Sequence, residues 1–466
     1  MFFFREGHAD KGQQPGQWVL RWAFALAAFS PGLVLAQPRL PGTPAAAGTA
    51  SPDTLRLTLA QAQEQFLSRN FALLAQHFNV NIAQAAVRQA LLRDNPNFFV
   101  LNNLYNPVSK SFFPFNFNTG YDPANVDPNG VNASNTVNLQ VTQLFSLTGV
   151  RRKAGDAARA TAEVAQAQFE DAVRQGRFQL SQTFFNILAE RRRLVLLLVE
   201  RRQLTRLLAG TRERLRLGTV PGFDVTRLEL EQQTLETQRL DQLNQLSQDQ
   251  STLRVLLAVP GSTFVVPVGQ PDLPDAPTTL PTLAELQAQA VAHRPDLLAA
   301  QRGTVYADQN LRYQRAVATP KLNLGLSYAN QGNAYNNFYG IQAGIDLPVF
   351  NRNQGNVQAA RFTIQQNGLQ LSQARIQVEQ DVAAAYEQLE RARALRQSLT
   401  PEYLRRIQNV SRDATADFNR RLIGLVDFID KIRAYKDAQL SLIDIGTRLQ
   451  QAEQQLNFTT NTVVFP

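Results

Sequence analysis

Two aspartates stand three residues apart in an otherwise apolar stretch near the carboxyl end of the chain, LIGLVDFIDK. Asp427 and Asp430 would face the same side of a helix, because residues three apart are neighbours on a helix surface. Two carboxylates on one face can attract cations. They can equally serve the helix itself, since Asp427 would meet the positive end of the helix dipole and Asp430 would pair with Lys431 or Arg433. The residues alone leave both roles open.

Residue types that carry out catalysis are scarce in this chain. The sequence has three histidines, His8, His77 and His293, and no cysteine. The histidines are far apart, so no cluster has metal-ligand spacing, and His77 and His293 are expected on helix surfaces. The sequence also lacks a phosphate-binding glycine loop with its lysine and a Gly-x-Ser-x-Gly elbow. We therefore predict no enzyme activity, no cofactor and no resident metal site.

The amino-terminal segment has the composition of an export signal. An apolar run, Trp22–Ala36, ends in small residues, which predicts a signal peptide over residues 1–36 and cleavage before Gln37. An uncleaved anchor is the alternative. The sequence has no cysteine that could carry a lipid anchor. Residues 37–56 are rich in proline and alanine and are typical of a linker.

The net charge of +9 raises the question of nucleic-acid binding. The arginines, however, are spread along predicted helices instead of being gathered with glycine and aromatic residues. This distribution disfavours a nucleic-acid partner.

The chain contains an internal repeat. Residues 58–75 align without gaps to residues 282–299, and residues 139–159 align to residues 341–361. A later match pairs Asp224 with Asp427. We therefore predict a duplicated unit, with a first repeat at 57–261, a linker at 262–281, a second repeat at 282–458 and a tail at 459–466.

Each repeat has the same predicted order of elements: a helix of thirty-odd residues, two strands, a very long helix, and one more helix. In the first repeat, Leu180 to Leu215 contains apolar residues at steps of 3, 4 or 7, the spacing of a coiled-coil seam. A helix over residues 151–215 would be about 98 Å long at 1.5 Å per residue. In the second repeat, Pro401 is expected to kink the long helix, because its ring displaces a helical hydrogen bond.

The strands alternate apolar residues with small or polar ones. In KLNLGLSYAN and FYGIQAGIDL every second residue is apolar over about ten residues, the length of a tilted strand that crosses a bilayer. TVNLQVTQ and NFFVLNNLY follow the same pattern. A hairpin in a soluble sandwich is the competing interpretation. Four strands cannot close a barrel and open edges are not tolerated in lipid, so a barrel must be shared between chains.

These features, in this order and repeated twice, resemble the TolC-like outer-membrane efflux proteins. The resemblance runs from Leu57 to about Phe458 and includes LTLAQAQ, RLGTVPGFDVTRLELEQ and GLVDFIDKIRAYKDAQLSLIDI. The segment LPVFNRNQGNVQAARF is similar to the heavy-metal branch, which exports cobalt, zinc, cadmium or copper. The resemblance implies a mixed fold, in which long coiled-coil helices form a periplasmic α-barrel tunnel and four strands per chain join a 12-stranded outer-membrane β-barrel in a homotrimer.

The resemblance also implies roles for particular residues. Asp427 and Asp430 match two acids that ring a closed periplasmic aperture in this family, and Asp224 matches the acid at the same turn of the first repeat. Such a ring would attract cations. The turns carrying Gly218, Thr219 and Val220 and carrying Gly424 and Leu425 are expected to dock a periplasmic adaptor. Ile423 departs from the basic residue that the family places near this turn, while Arg420 and Arg421 lie just before it.

The predicted function is a passive exit duct in the outer membrane. It would belong to a tripartite efflux pump, with a periplasmic adaptor and an inner-membrane pump of the resistance-nodulation-division type as partners. The alternative is a periplasmic or surface coiled-coil protein that bridges envelope layers without forming a pore. An adaptor is disfavoured, because it would carry a single helical hairpin. The sequence does not distinguish metal ions, drugs and proteins as cargo.

Overall fold

Long helices make up most of the chain. The computed structural model describes residues 54–102, 104–106, 111–112, 136–269, 280–331 and 337–465. The predicted signal, its cleavage site at Gln37, most of the first linker and the long loop of the first repeat lie outside these residues. The helices are α1 (Leu59–Arg69), α2 (Phe71–Leu91), α3 (Val150–Arg216), α4 (Gly222–Leu257), α5 (Leu283–His293), α6 (Pro295–Val317), α7 (Gln354–Gln397), α8 (Pro401–Asn419) and α9 (Leu425–Thr460).

The strands lie between these helices. They are β1 (Thr54–Leu57), β2 (Asn97–Asn102), β3 (Tyr105–Asn106), β4 (Ser111–Phe112), β5 (Thr136–Ser146), β6 (Phe264–Pro267), β7 (Lys321–Gln331) and β8 (Phe338–Asp346). None of the helices in the described part of the chain combines the length and hydropathy needed to cross a membrane.

The longest helix, α3, confirms the predicted coiled-coil seam. Its 67 residues extend for about 100 Å at 1.5 Å per residue. Leu180, Phe184 and Ile187 are fully buried, and they pack against Leu253 and Leu257 of α4 in one hydrophobic cluster. The seam loosens toward the end of α3. Leu215, the last residue of the predicted seam, is 38% exposed.

The first helix of each repeat is two helices, so the prediction of one helix of thirty-odd residues is wrong. In the first repeat, Asn70 ends α1 and caps α2, where its side-chain oxygen accepts a hydrogen bond from the Leu73 N–H at 2.9 Å. In the second repeat, Pro295 is the first residue of α6 and has no N–H to continue α5. A seam-like apolar pattern runs through both breaks, which hides them from a periodicity search.

Pro401 produces a break where the sequence predicts a kink. Helix α7 ends at Gln397, and Pro401 begins α8 at the position where a proline is favoured, because the first helical N–H has no partner in any case. The hydroxyl of Thr400 accepts a hydrogen bond from the Tyr403 N–H at 3.2 Å and caps α8.

Four strands form one antiparallel sheet in the order β2–β5–β7–β8. The predicted alternation is confirmed: Val141, Leu326 and Ile341 lie side by side on one face, and Ile341 is 86% exposed. The other face carries small and polar side chains, including Gln140, whose amide donates a hydrogen bond to Gln342. One face of the sheet is therefore apolar and open, and β2 and β8 are its unpaired edges among the described residues.

A second, parallel strand pair joins the repeats. Strand β1 pairs with β6, and Gln250 of α4 binds both the N–H and the carbonyl of Val265. Most residues of these two strands lie in the predicted linkers 37–56 and 262–281, because four-residue strands are too short to show a periodic pattern. Near the end of α9, the side chain of Asn457 accepts hydrogen bonds from the N–H groups of Val464 and Phe465, which follow the helix. These bonds hold the predicted tail against the helices.

Candidate functional site

Two helical hairpins end in turns of the same geometry. The first joins α3 to α4 through Leu217–Pro221 and the second joins α8 to α9 through Arg420–Gly424. In the first, the N–H of Thr219 donates to the carbonyl of Arg214 at 2.9 Å, and in the second the N–H of Leu422 donates to Asp417 at 2.8 Å. This is the Schellman pattern of a helix end.

The pattern requires a left-handed residue just after each helix. Gly218 takes this conformation with φ of 68°, and Arg421 takes it with φ of 63°. Glycine adopts it freely, whereas an arginine does so at a cost. The two turns therefore have the same backbone conformation, although only the first has a glycine, the residue that this conformation favours.

The predicted docking residues lie at these turns with different exposure. Gly218, Thr219 and Gly424 are exposed, and Val220 is half-buried. Leu425 is the first residue of α9 and packs against a small apolar cluster, which makes it partly structural. The cluster joins the two hairpins and contains Leu208, Val225, Leu228 and Ile429.

The three predicted aspartates lie in the first two turns of α4 and α9. Asp224 and Asp427 are each the third residue of their helix, and the capping positions before them, Pro221 and Gly424, provide no side-chain hydrogen bond. Asp427 therefore meets the positive helix end, as one interpretation of the sequence predicts. Both Asp427 and Asp430 are exposed, so the same geometry leaves their carboxylates available to ions.

Ion pairs connect α4 and α9 just behind the aspartates. Asp430 lies 3.8 Å from the guanidinium of Arg227, so its ion pair is with neither of the two residues expected from the sequence, although Arg433 is close enough to interact with its charge. Arg433 binds Glu231 of α4 instead, through Nε at 2.8 Å and through Nη2. These pairs connect α4 to α9 behind the first turns of the two helices.

Further from the turns, a buried carboxylate lies between α3 and α9. Glu200 is 4% exposed, and one of its oxygens has no hydrogen-bond partner. Burial raises the pKa of Glu200 to about 7, although the nearby Lys436 opposes this shift. Lys436 is itself buried and donates to Gln238 of α4 at 3.2 Å. The side chains of Glu200 and Lys436 line a cavity of about 50 Å³.

A second buried carboxylate meets another acid. Glu190 of α3 is 2% exposed and lies within hydrogen-bonding contact of Asp249 on α4. Burial and the neighbouring Asp249 raise the pKa of Glu190 to about 8. Because burial and Asp249 both disfavour the charged form of Glu190, this position favours a protonated Glu190. Arg193 and Asp444 form an adjacent ion pair from α3 to α9.

Within the described ranges, no group of three or more His, Asp or Glu side chains is arranged to hold a metal ion. His77 and His293 are exposed on helices, as predicted; His77 contacts the ring of Phe169 edge-on, with centroids 5.2 Å apart.

Part of the chain matches a family of known proteins. Residues 286–462 match the model of the family described as outer membrane efflux protein. The chain is 25% identical to the cobalt-zinc-cadmium resistance protein CzcC of Cupriavidus metallidurans over 398 residues, which is 85% of this chain and 88% of that protein. The carboxyl-terminal part of the chain is therefore similar to the outer membrane efflux protein family.

Two further similarities point to the same class of protein. The chain is 27% identical to the cation efflux system protein CusC of Escherichia coli over 251 residues, which is 50% of this chain and 53% of CusC. A crystal structure of CusC superposes with a TM-score of 0.67 at 18% identity and covers 86% of this chain and 92% of the CusC chain. The chain therefore has the fold of these outer-membrane channels.

Proposed function

We propose that the chain is the outer-membrane exit channel of a tripartite efflux pump and that its cargo is metal cations. The observation that carries the proposal is the relationship to CzcC, a cobalt-zinc-cadmium resistance protein, over nearly the full length of both chains. The cation efflux protein CusC points to the same class of cargo. The channel would do no chemistry, since the pump supplies the energy.

The open edges of the chain support a barrel shared with further copies. In the sheet, β2 and β8 are unpaired at opposite edges. Among the helices, α2 packs on α3, α3 on α6 and α6 on α7, so α2 and α7 also lie at opposite edges. Repeating this unit would pair β8 with β2 of the next copy and close the sheet without exposed edges. Three copies with four strands each would give the 12-stranded barrel of a homotrimer.

Exposed apolar stripes mark the same two helix edges. On α2 the stripe consists of Phe71, Leu74, Phe78 and Ile82, spaced by three or four residues. On α7 it consists of Phe362, Leu369 and Ile376, spaced by seven. Both spacings place side chains on one helix face. The two stripes would pack against each other between neighbouring copies.

The exposed carboxylates at the helix turns support an acidic aperture. In a trimer, Asp427 and Asp430 of each chain would give six carboxylates around one axis, with Asp224 beside them. A ring of carboxylates attracts cations and repels anions, which suits a metal cargo. Arg227 lies beside Asp430 and would partly neutralise the negative charge of that carboxylate within each chain.

The exposed ends of the turns support adaptor docking. Gly218, Thr219, Val220 and Gly424 lie at the hairpin tips, and Leu425 joins them to the apolar cluster beneath. An inner-membrane pump of the resistance-nodulation-division type would act through that adaptor. The chain would reach the outer membrane through a cleaved signal, with its helices in the periplasm and without a lipid anchor.

Deleting the coding sequence in its own host, with adaptor and pump intact, tests the function. We expect increased sensitivity to at least one of cobalt, zinc, cadmium or copper, and recovery with a plasmid copy. Unchanged tolerance to all four metals, in a host without a second channel of this family, would contradict a metal cargo. Absence of the chain from the outer-membrane fraction would instead favour the bridging protein.

A further inference from the structure

Four connections between helices and strands gather at one end of the sheet. Ser146, Lys321 and Asp346 are paired across β5, β7 and β8, so the ends of these strands lie side by side. Strand β2 begins near the same end, where Asn97 pairs with Thr142. We call the four connecting stretches, residues 92–96, 147–152, 315–320 and 347–352, the junction collar.

The junction collar continues the apolar face of the sheet. Phe145 and Ile345 lie on that face, and Leu147 and Leu347 follow them at the same alternation. Phe350 is 92% exposed, and four further apolar side chains of the collar are also exposed. They are Leu92, Leu147, Leu347 and Val349. The exposed apolar surface of the strands therefore extends into the connections.

The charges of the junction collar are almost all positive. It contains five arginines and a single acidic residue, Asp94. The arginines are Arg93, Arg151, Arg152, Arg315 and Arg352, and all five are exposed. None of them forms an ion pair in the portion of the chain that the structure describes.

Helix stability does not explain two of these arginines. Arg151 and Arg152 lie in the first turn of α3, which contains no acidic residue. Cations in a first turn face the positive end of the helix dipole and destabilise the helix. Some exposed arginines elsewhere pair with an acid on the same helix, as Arg216 does with Glu213. Arg151 and Arg152 form no ion pair with a described residue, so both are available to a partner outside the chain.

We propose that the junction collar binds the anionic phospholipid headgroups of the periplasmic leaflet, with the exposed apolar residues entering the acyl boundary. This proposal rests on the proposed function, since it requires the sheet to lie in a membrane. Arginine side chains reach from apolar surface toward phosphate oxygens, and aromatic residues favour the same depth. Clustered cations beside a membrane-inserted element attract anionic lipid.

The experiment measures lipid preference with matched variants. Phosphatidylglycerol or phosphatidylcholine of the same acyl chains is titrated into the full-length protein in detergent, and the melting temperature is followed. The test variant is Arg151→Gln/Arg152→Gln. The control is Arg202→Gln/Arg206→Gln, which removes the same charge from exposed sites on the same helix, about 75 Å away at 1.5 Å per residue. Arg352→Gln tests a second connection independently.

We expect phosphatidylglycerol to raise the melting temperature of wild type more than phosphatidylcholine does. The apparent affinity for phosphatidylglycerol should fall roughly tenfold or more in the double variant, since each cation near an anionic surface contributes severalfold, and Arg352→Gln should show a smaller fall. The control should match wild type. Equal stabilisation by both lipids, or an unchanged response in both test variants, would overturn the proposal.

Two other results have separate meanings. Dissociation of an oligomer in the test variants without any change in lipid preference would mean that a second copy covers the collar, and would overturn lipid binding. Flotation of wild type with mixed vesicles is measured in parallel. If the chain does not associate with vesicles, both the membrane location and lipid binding by the collar are contradicted. If the chain associates equally with anionic and neutral vesicles, only lipid binding by the collar is contradicted.

Discussion

Glu190 and Glu200 occupy gaps in the apolar seam of α3. The apolar residues step by seven from Ile187 to Leu194 and from Leu197 to Leu204, and each step contains a glutamate three residues in. The glutamates therefore fall on the buried side of the helix. An inspection of the position three residues into each seven-residue step would have identified both glutamates from the sequence. The contact of Glu190 with Asp249 depends on the packing of α4 and could not be predicted from the sequence.

The raised pKa of Glu190 makes stability depend on pH. The folded chain holds a proton on Glu190 up to about pH 8, whereas the unfolded chain loses it near the ordinary pKa of 4.5. The free energy of unfolding should therefore fall as the pH rises from about 4.5 to about 8, by on the order of a few kcal/mol. In Glu190→Gln the amide replaces the proton donor, so part of this slope should vanish.

Thermal unfolding from pH 5 to pH 9 measures the slope. Glu170→Gln is the matched control, because Glu170 lies exposed on the same helix and accepts a hydrogen bond from Gln166. A slope that is identical in wild type, Glu190→Gln and the control would show that Glu190 does not retain its proton.

The two hairpin turns make a paired prediction. Gly218→Ala should lower the free energy of unfolding by about 1 kcal/mol, because alanine is strained at positive φ. Arg421→Gly should raise it by about 0.5–1 kcal/mol for the same reason. Gly424→Ala, at φ of −74°, is the control and should change it little. Denaturant unfolding measures all three, and equal effects at positions 218 and 424 would contradict the explanation.

At the scale of elements, the sequence predicted the types that have a clear period. The long helix α3 and strands β5, β7 and β8 match the predicted stretches because a single periodicity runs through each. The breaks at Asn70 and Pro295 were missed because apolar residues continue across them. The β1–β6 pair was missed because four residues carry no period, and it forms only when two distant segments meet.

Close packing of α1 on α3 depends on a glycine. A Cβ at position 176 would lie 2.2 Å from the ring of Phe66, a fully buried side chain. Gly176→Ala should therefore lower the free energy of unfolding by about 1–3 kcal/mol through overpacking. Gly210→Ala on the same helix meets no atom within 4 Å and should raise it by up to about 1 kcal/mol.

Chemical unfolding of both variants, and of Gly176→Ala combined with Phe66→Leu, tests this packing. The smaller side chain should recover part of the loss. Similar effects of alanine at positions 176 and 210 would show that the helices separate easily at this point.

At the scale of the whole molecule, assembly follows from the open edges. Leu369→Asp places a charge in the apolar stripe of α7, where burial against a second copy would cost free energy. We expect the oligomer to dissociate in mild detergent at lower temperature than wild type. Gln370→Asp, on the next exposed residue, is the control. Light scattering measures the mass, and equal oligomer stability in both variants would mean that this stripe is not the interface.

The most direct test of a channel is its conductance. The purified oligomer is inserted in a planar bilayer, and single-channel currents are recorded for wild type and Asp427→Asn/Asp430→Asn, with and without divalent cation on the periplasmic side. The account predicts a cation-selective conductance that divalent ions block in wild type and block less in the variant. A conductance that changes neither with divalent cation nor with the double substitution would mean that the aspartates serve helix capping and not the aperture. Absence of any conductance, from a folded oligomer whose turns have been loosened by mutation, would contradict the exit channel itself.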